Sequence, residues 1–580
     1  TGSGARRIGM TLLELTPDDL ALATWADLEP WYLALNAEPL DHDAVTDWLT
    51  RWSHLESCLT EAASLALIAY TCDTGDSEKE KAQLRFTSQI MPLAEEQGVR
   101  LAQRLVETGW TSPDMAVPLI RFRTAIRLFR EANVPIFAEL EEHSSAYQRI
   151  TGSMTAEWEG TRRPLPMLAP LLQDPDQGVR ERAWRAFIAP YQAQQEAMSG
   201  VFDTMHALRQ KAARQAGFAN FRDYTFEAKG RVDYTPADCV KFHDAVAATV
   251  VPAVGRMMEL RRKRLGYERL RPWDLAVDPW GEVPLRPYEG ETALAATAVG
   301  VFARVDPELG RWFQTMIDER LLDLGSREGK APGGYCDTLH HRGRPFIFMN
   351  AAGVMEDVTT LLHEAGHSFH ALASHDWPLI WQRHPSSESA ELASMSMELM
   401  AAPHLGPPAG FLTEPDLVRA RLAHLEDVLL SLTHIASVDA FQTWIYTAPE
   451  GANREARDAA WLRLRERFEI GVDWSGLGPE RVARWYRQLH IFLYPFYYIE
   501  YGIAQLGALQ VWRNTRQDPV GAARAYRSFL ALGATRPLPE LYREAGAALI
   551  FDQARMADLV AMVEQEFEDL ARLVPEVAPR

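Results

Sequence analysis

The chain of 580 residues carries 60 Lys plus Arg against 79 Asp plus Glu, a formal net charge of −19, so it lacks the basic excess that holds nucleic-acid phosphates. Its 47% hydrophobic and 24% charged residues are ordinary for a globular protein with a sizeable core. The longest apolar runs, 63–70 and 245–255, are too short or too interrupted to span a bilayer. Four cysteines, Cys58, Cys72, Cys239 and Cys336, lie far apart with no Cys-x-x-Cys; neither a disulfide scaffold nor a cysteine metal site is indicated, and a reducing cytoplasm fits best.

Residues 1–9 read as an appended segment before a native start at Met10, and nothing after Met10 has the basic-then-apolar form of a signal peptide. From 17 to 150 apolar residues such as Leu33, Leu35, Trp48, Trp52, Leu55 and Leu59 recur at three and four residue spacings, which predicts successive helices with these residues as core-facing stripes and a break at Pro30. Around 154–161 the period moves towards two, predicting a short hairpin before a helix at 176–187. Long helices then follow to about 265, with Gly217 and Gly230 as ends and Arg261-Arg262-Lys263-Arg264 as a solvated terminus that complements the helix dipole. A soft boundary near residue 200 separates a helical region 10–200 from a catalytic helical domain 201–580. After a glycine turn at 332–335, residues 345–350 read as a strand leading into Ala351-Ala352-Gly353.

The next stretch carries the chemistry. His363-Glu364-Ala365-Gly366-His367 places two imidazoles four residues apart, on one face of a helix that no proline interrupts between 358 and 376. This is a two-toothed metal clamp, and Glu364 stands beside it where its carboxylate can reach a metal-activated water without being a ligand. A zinc site with one open position needs a third protein ligand. A histidine six residues after the second is ruled out because position 373 is Ala. Beyond a loop with Pro378 and Pro385, Glu391 and Glu398 share a helical face two turns apart. Glu391 is the expected ligand and Glu398 the carboxylate behind it, holding a ligand histidine through its other ring nitrogen; loss of Glu391 without loss of metal would move the ligand role to Glu398. His370, one turn on, is expected behind the metal or packing beside it.

Helices are predicted again at 415–445 and 452–470. His490, Tyr494, Tyr497, Tyr498 and Tyr501 then fall at 0, +4, +7, +8 and +11, one helical stripe if Pro495 merely bends or restarts the helix. Closing helices fill 519–575.

The pattern His363-Glu364-x-Gly366-His367 followed by Glu391-x-x-Ser394, with Phe346-Ile347-Phe348-Met349-Asn350 upstream and His490 through Gly502 downstream, resembles the thimet oligopeptidase and oligoendopeptidase F family of zinc peptidases, closer to its bacterial oligoendopeptidase F branch. The resemblance covers residues 330 to 510 well and the rest by helical texture. It implies a mainly α, elongated multi-helix fold with a deep central cleft, a small β-sheet next to the zinc helix, one Zn²⁺ per chain and hydrolysis of short unstructured peptides. It further implies that the strand before the zinc helix offers its edge to substrate, with Phe348, Asn350 and Gly353 as substrate-binding residues. It gives His490 and Tyr498 a catalytic part and Tyr497 and Tyr501 a substrate-binding one, the register across Tyr497-Tyr498 staying open. Two other functions fit: a zinc carboxypeptidase of related helical fold, and a peptide-binding protein without turnover. No nucleic-acid or membrane partner is expected, and the oligomeric state stays open.

Overall fold

The computed structural model describes residues 11–281 and 283–575; the expected appended segment 1–9 and the start at Met10 lie outside them. The protein is mainly α, with two small sheets among the described residues. No helix among them is long and apolar enough to cross a membrane.

The chain forms two compact units, each assembled from three separate segments: Thr1–Leu128, Arg286–Thr413 and Gly507–Leu549 in one, Phe129–Leu285, Glu414–Leu506 and Ile550–Arg580 in the other. This differs from the expected continuous division near residue 200. The reason is that the long helices Glu414–Thr447 and Gln553–Ala571 pack against Pro236–Leu265, which lies far from both in sequence.

In the unit that begins at Phe129, the expected hairpin is present as β1 (Thr155–Trp158) paired antiparallel with β2 (Thr161–Pro164). Asp176 caps the helix Gln177–Ala193 by accepting from the Gly178 and Val179 amides, and Gly217 and Gly230 follow helix ends with positive φ. The basic cluster ends its helix as expected, with Arg262, Lys263 and Arg264 in the last turn and Lys263 exposed, but Arg261 departs from the solvated reading. Arg261 is buried, its guanidinium paired with both carboxylate oxygens of Glu426 at 2.8 and 3.0 Å, and Arg264 lies over the Trp280 ring at 4.2 Å. A guanidinium fork satisfies a buried carboxylate better than a point charge does.

The other unit opens on a core around the helix Val45–Cys72. Trp48, Trp52 and Leu55 face inward, and Trp52 meets Trp381 at 4.4 Å and Phe122 at 5.3 Å between ring centroids. Two expectations fail nearby. Leu33 is half exposed, and Pro30 lies inside the helix Trp25–Ala37 instead of ending it. That helix starts five residues before the proline, anchored by the Thr24 amide and hydroxyl donating to Asp27, both at 2.9 Å.

The same unit holds a three-stranded sheet in the order β3 (Leu322–Gly325), β5 (Arg344–Ala351), β4 (Tyr335–Leu339), parallel on the first side and antiparallel on the second. The predicted strand 345–350 is therefore central, and both of its edges are paired. Buried Lys330 ties the sheet together, donating to the Asp323 carboxylate at 2.8 Å and to the Met349 carbonyl. β5 runs directly into the helix Met355–Ser374. Its start is fixed by Asp357, which accepts from the Ala352 and Val354 amides at 2.9 and 2.8 Å and from the Tyr288 hydroxyl at 2.5 Å.

Candidate metal and catalytic site

His363, Glu364, His367 and His370 all lie on the helix Met355–Ser374, and Glu391 and Glu398 on the helix Ser387–Ala401 packed against it. The two helices touch backbone to backbone at Gly366, where an added Cβ would come within 2.5 Å of Ser394 Cα and 2.8 Å of the Ala393 carbonyl. A residue without a side chain is needed there to bring Glu391 to the histidines.

Ligand atoms of His363, His367 and Glu391 lie within 4.8 Å of one another. Glu391 Oε2 is 3.3 Å from His363 Nε2 and 3.9 Å from His367 Nε2. His363 Nδ1 sits 2.7 Å from Glu398 Oε1; an ionised carboxylate only accepts, so the proton stays on Nδ1 and Nε2 faces Glu391. Glu391 itself is buried and accepts from the Ser394 hydroxyl at 3.1 Å. A His367 ring nitrogen bonds the Ala390 carbonyl.

The electrostatics ask for a cation at this point. Burial works against charge on His363, yet its hydrogen bonds to Glu391 and Glu398 win and hold it well above the usual imidazole range. His367, by contrast, is pushed down to about 4 by burial, which keeps it the neutral imidazole a metal needs. Two nitrogens and one carboxylate oxygen, each steadied by a hydrogen bond behind it, form a donor set that zinc fits.

Glu364 is buried and donates no oxygen to this cluster. Burial pushes its carboxyl up to about 7, opposed by the neighbouring His363 charge and by a hydrogen bond from the Cys336 amide. Since that amide belongs to β4, the strand whose outer edge faces the Glu364 carboxylate is β4.

Several expected site residues are placed otherwise. Phe348 is fully buried on the central strand, stacked on Tyr335 at 4.9 Å with the Lys330 ammonium 4.5 Å from its ring; neither its side chain nor its main chain is open to a peptide, and the edge role expected of this strand falls away. Asn350 donates to the Ala331 and Gly333 carbonyls at 2.7 and 2.9 Å, pinning the glycine turn before β4. Gly353, with φ of 85°, donates its amide to the Tyr288 hydroxyl in the turn into the histidine helix. His370 is buried with no hydrogen-bond partner on either ring nitrogen and lies 5.4 Å from the Phe529 ring, so it packs and supports no ligand.

The residues of the second expected stretch belong to the other unit. The stripe is not one helix: Leu489–Leu493 ends, Phe496 takes φ of 63°, and a new helix begins at Tyr498. The rings gather all the same, with Tyr494, Tyr497, Tyr498 and Tyr501 at 5.8, 5.7, 5.0 and 6.0 Å from the His490 ring. The Tyr498 hydroxyl donates to Gln488 Oε1 at 3.1 Å, and burial pushes that phenol up to about 12. The turn is anchored by a residue the sequence reading missed. Arg231 donates to the Phe496 carbonyl and to the buried Glu500 carboxylate, the latter at 2.6 Å. Its only sequence signal is a lone arginine just after Gly230.

Comparison with known proteins finds relatives and solved structures similar to this chain over most of its length. The oligoendopeptidase F homolog of Lactococcus lactis subsp. lactis is 24% identical over 436 residues, 68% of this chain and 66% of that protein, so the match spans slightly less than two thirds of that relative. The oligoendopeptidase F homolog of Borreliella burgdorferi is 21% identical over 538 residues, 87% of each chain. Among solved structures, PZ peptidase A with inhibitor 2 superposes with a TM-score of 0.87 at 27% identity, covering 94% of this chain and 97% of that one. The model of Peptidase family M3 matches residues 170–559, a span holding His363, His367, Glu391 and the aromatic turn, and the chain belongs to that family.

Proposed function

We propose that the protein is a zinc-dependent oligoendopeptidase that hydrolyses internal bonds of short unstructured peptides. The observation that carries this reading is the convergence of His363 Nε2 and His367 Nε2 on buried Glu391, with Glu398 fixing the His363 tautomer. His363, His367 and Glu391 would hold one zinc, which when bound supplies Lewis acidity to a water and to the peptide carbonyl.

Glu364 takes the proton of the attacking water and delivers it to the departing amine nitrogen. Its buried, elevated carboxyl suits both transfers, since a base poised near neutral pH can accept and release a proton within one cycle. The amide edge of β4 beside Glu364 is suited to pair with an extended peptide main chain, which favours peptides without fixed structure. His490, Tyr498 and Tyr501 carry the roles the family resemblance gives them, Tyr498 being the donor to the developing oxyanion. A cytoplasmic location goes with this reading, a reducing compartment that suits four cysteines outside any disulfide.

The test is mass spectrometry of products from a mixed peptide library, with and without a chelator. Internal cuts that vanish on chelation and return with zinc are expected. Release of single C-terminal residues alone would make the protein a carboxypeptidase, and bound but uncut peptides would make it a binder.

A further inference from the structure

A second cluster of metal-ligating side chains shares no residue with the histidine helix. His54 and Cys58 stand four residues apart on the helix Val45–Cys72, and His341 sits in the turn between β4 and β5. Their ligand atoms lie within 4.8 Å of one another, with Cys58 Sγ 3.6 Å from His54 Nε2 and 3.5 Å from His341 Nδ1. Zinc bonds of about 2.3 Å to sulfur and about 2.0 to 2.1 Å to nitrogen, set at a tetrahedral angle, separate sulfur from nitrogen by about 3.5 Å. Both measured separations match that value. A fourth donor stands beside them: the Leu15 carbonyl is 2.9 Å from His54 Nε2 and 3.3 Å from Cys58 Sγ.

The surroundings hold this arrangement in place. Glu61, fully buried one turn after Cys58, accepts from the His341 and Arg342 amides at 2.8 and 2.9 Å and from the Arg342 side chain, so the turn carrying His341 is clamped to the helix carrying the other two. Cys58 is fully buried, and burial, with the negative charges of Glu61 and Asp19 adding to it, pushes its thiol up. The two imidazoles are half buried, so the site keeps an approach from solvent.

We propose that His54, Cys58 and His341, with the Leu15 carbonyl, form a second metal site, a Cys-His₂ site for Zn²⁺ that staples the helix Val45–Cys72 to the β4–β5 turn. On binding, the thiol proton leaves to solvent and the neutral His54 ring moves its proton from Nε2 to Nδ1, so that Sγ, Nε2 and the carbonyl oxygen, which share hydrogen bonds in the free site, all become donors to the metal. The site escaped the sequence reading because His341 lies 283 residues from Cys58, whereas cysteine metal sites are read from short spacings.

Cobalt distinguishes this site from the proposed catalytic one, whose donors include no sulfur. Protein stripped with chelator and reloaded with Co²⁺ should bind two equivalents and show a thiolate-to-cobalt charge-transfer band in the near ultraviolet. Cys58→Ser and His341→Ala should each remove one equivalent and the band, with the second equivalent and peptide hydrolysis retained. Glu391→Ala should keep the band while losing the other equivalent, so failure of the catalytic assignment would leave this result untouched. Wild-type protein with no thiolate band, or a band that survives Cys58→Ser, would overturn the proposal. Should Cys58→Ser fail to fold, His341→Ala and wild type decide it, because the turn histidine contributes nothing to the hydrophobic core.

Discussion

Two stretches of this chain present histidines and acidic or phenolic groups at helical spacings, and they fold by different rules. In the first, His363 and His367 share one unbroken helix, and Glu391 and Glu398 share another, so the helical period alone carries each pair to its place. In the second, the stripe from His490 to Tyr501 crosses Pro495 and a left-handed Phe496. Its rings meet through a turn whose shape is set from elsewhere in the chain. Arg231 holds the Phe496 carbonyl, and buried Gln442 accepts from the Phe496 amide at 3.1 Å. Periodicity is a reliable guide within an uninterrupted helix; beyond a proline the outcome belongs to tertiary partners.

The largest effect should come from the first region. Glu364→Gln removes the base while leaving the ligands alone, and kcat should fall by about 10³ to 10⁴ with zinc content, measured by atomic absorption, unchanged. Loss of metal in that variant would mean that Glu364 is a ligand. The matching change in the second region is Tyr498→Phe, which deletes one hydroxyl and keeps the ring. Here kcat should fall by about 10² to 10³ with KM little altered, as for a donor used chiefly in the transition state. Normal turnover in Tyr498→Phe, Tyr501→Phe and His490→Ala alike would make the second region core packing and the comparison one between a site and a scaffold.

What the sequence made legible follows the same division. The helical fold, the histidine pair and the Glu391 and Glu398 spacing were all readable from local period. The strand at 345–350 was readable as a strand, but not its central place between β3 and β4, because the parallel partner β3 arrives from Leu322–Gly325 with no turn to announce the pairing. That one omission misplaced the expected substrate edge and put buried Phe348 in it. Gly366 is legible as part of the motif, while its reason, a helix crossing too close for any Cβ, depends on Ser394 nearly thirty residues away. The division into units was hidden for a similar reason, since each is woven from three segments.

Between the two extremes stands Glu398, which touches His363 Nδ1 at 2.7 Å. Glu398→Gln keeps an acceptor oxygen but gives up the charge, and zinc affinity should weaken by about 10- to 100-fold, measured by competition with a coloured chelator. Turnover at saturating zinc should recover most of its wild-type value. An affinity loss as complete as that of Glu391→Ala would instead make Glu398 a ligand.

The smallest effect tests what breaks the second helix. If the proline ring itself were the cause, Pro495→Ala would restore an amide donor and let the helix run from Leu489 into Tyr498, carrying His490 and the tyrosines into new positions. If the anchors are the cause, the turn survives, because Phe496 remains buried against Tyr446 at 5.6 Å and its amide and carbonyl stay bonded to Gln442 and Arg231. Two buried side chains clamping one residue from both sides outweigh a single recovered helical hydrogen bond, whose net worth is about 0.5 to 1.5 kcal/mol. We therefore expect Pro495→Ala to lower stability by less than about 1 kcal/mol, through the freer unfolded chain alone, with kcat and KM near wild type and no gain in helical circular dichroism. A fall in kcat rivalling that of Tyr498→Phe, together with added helicity, would return the break to the proline and leave the anchors as bystanders.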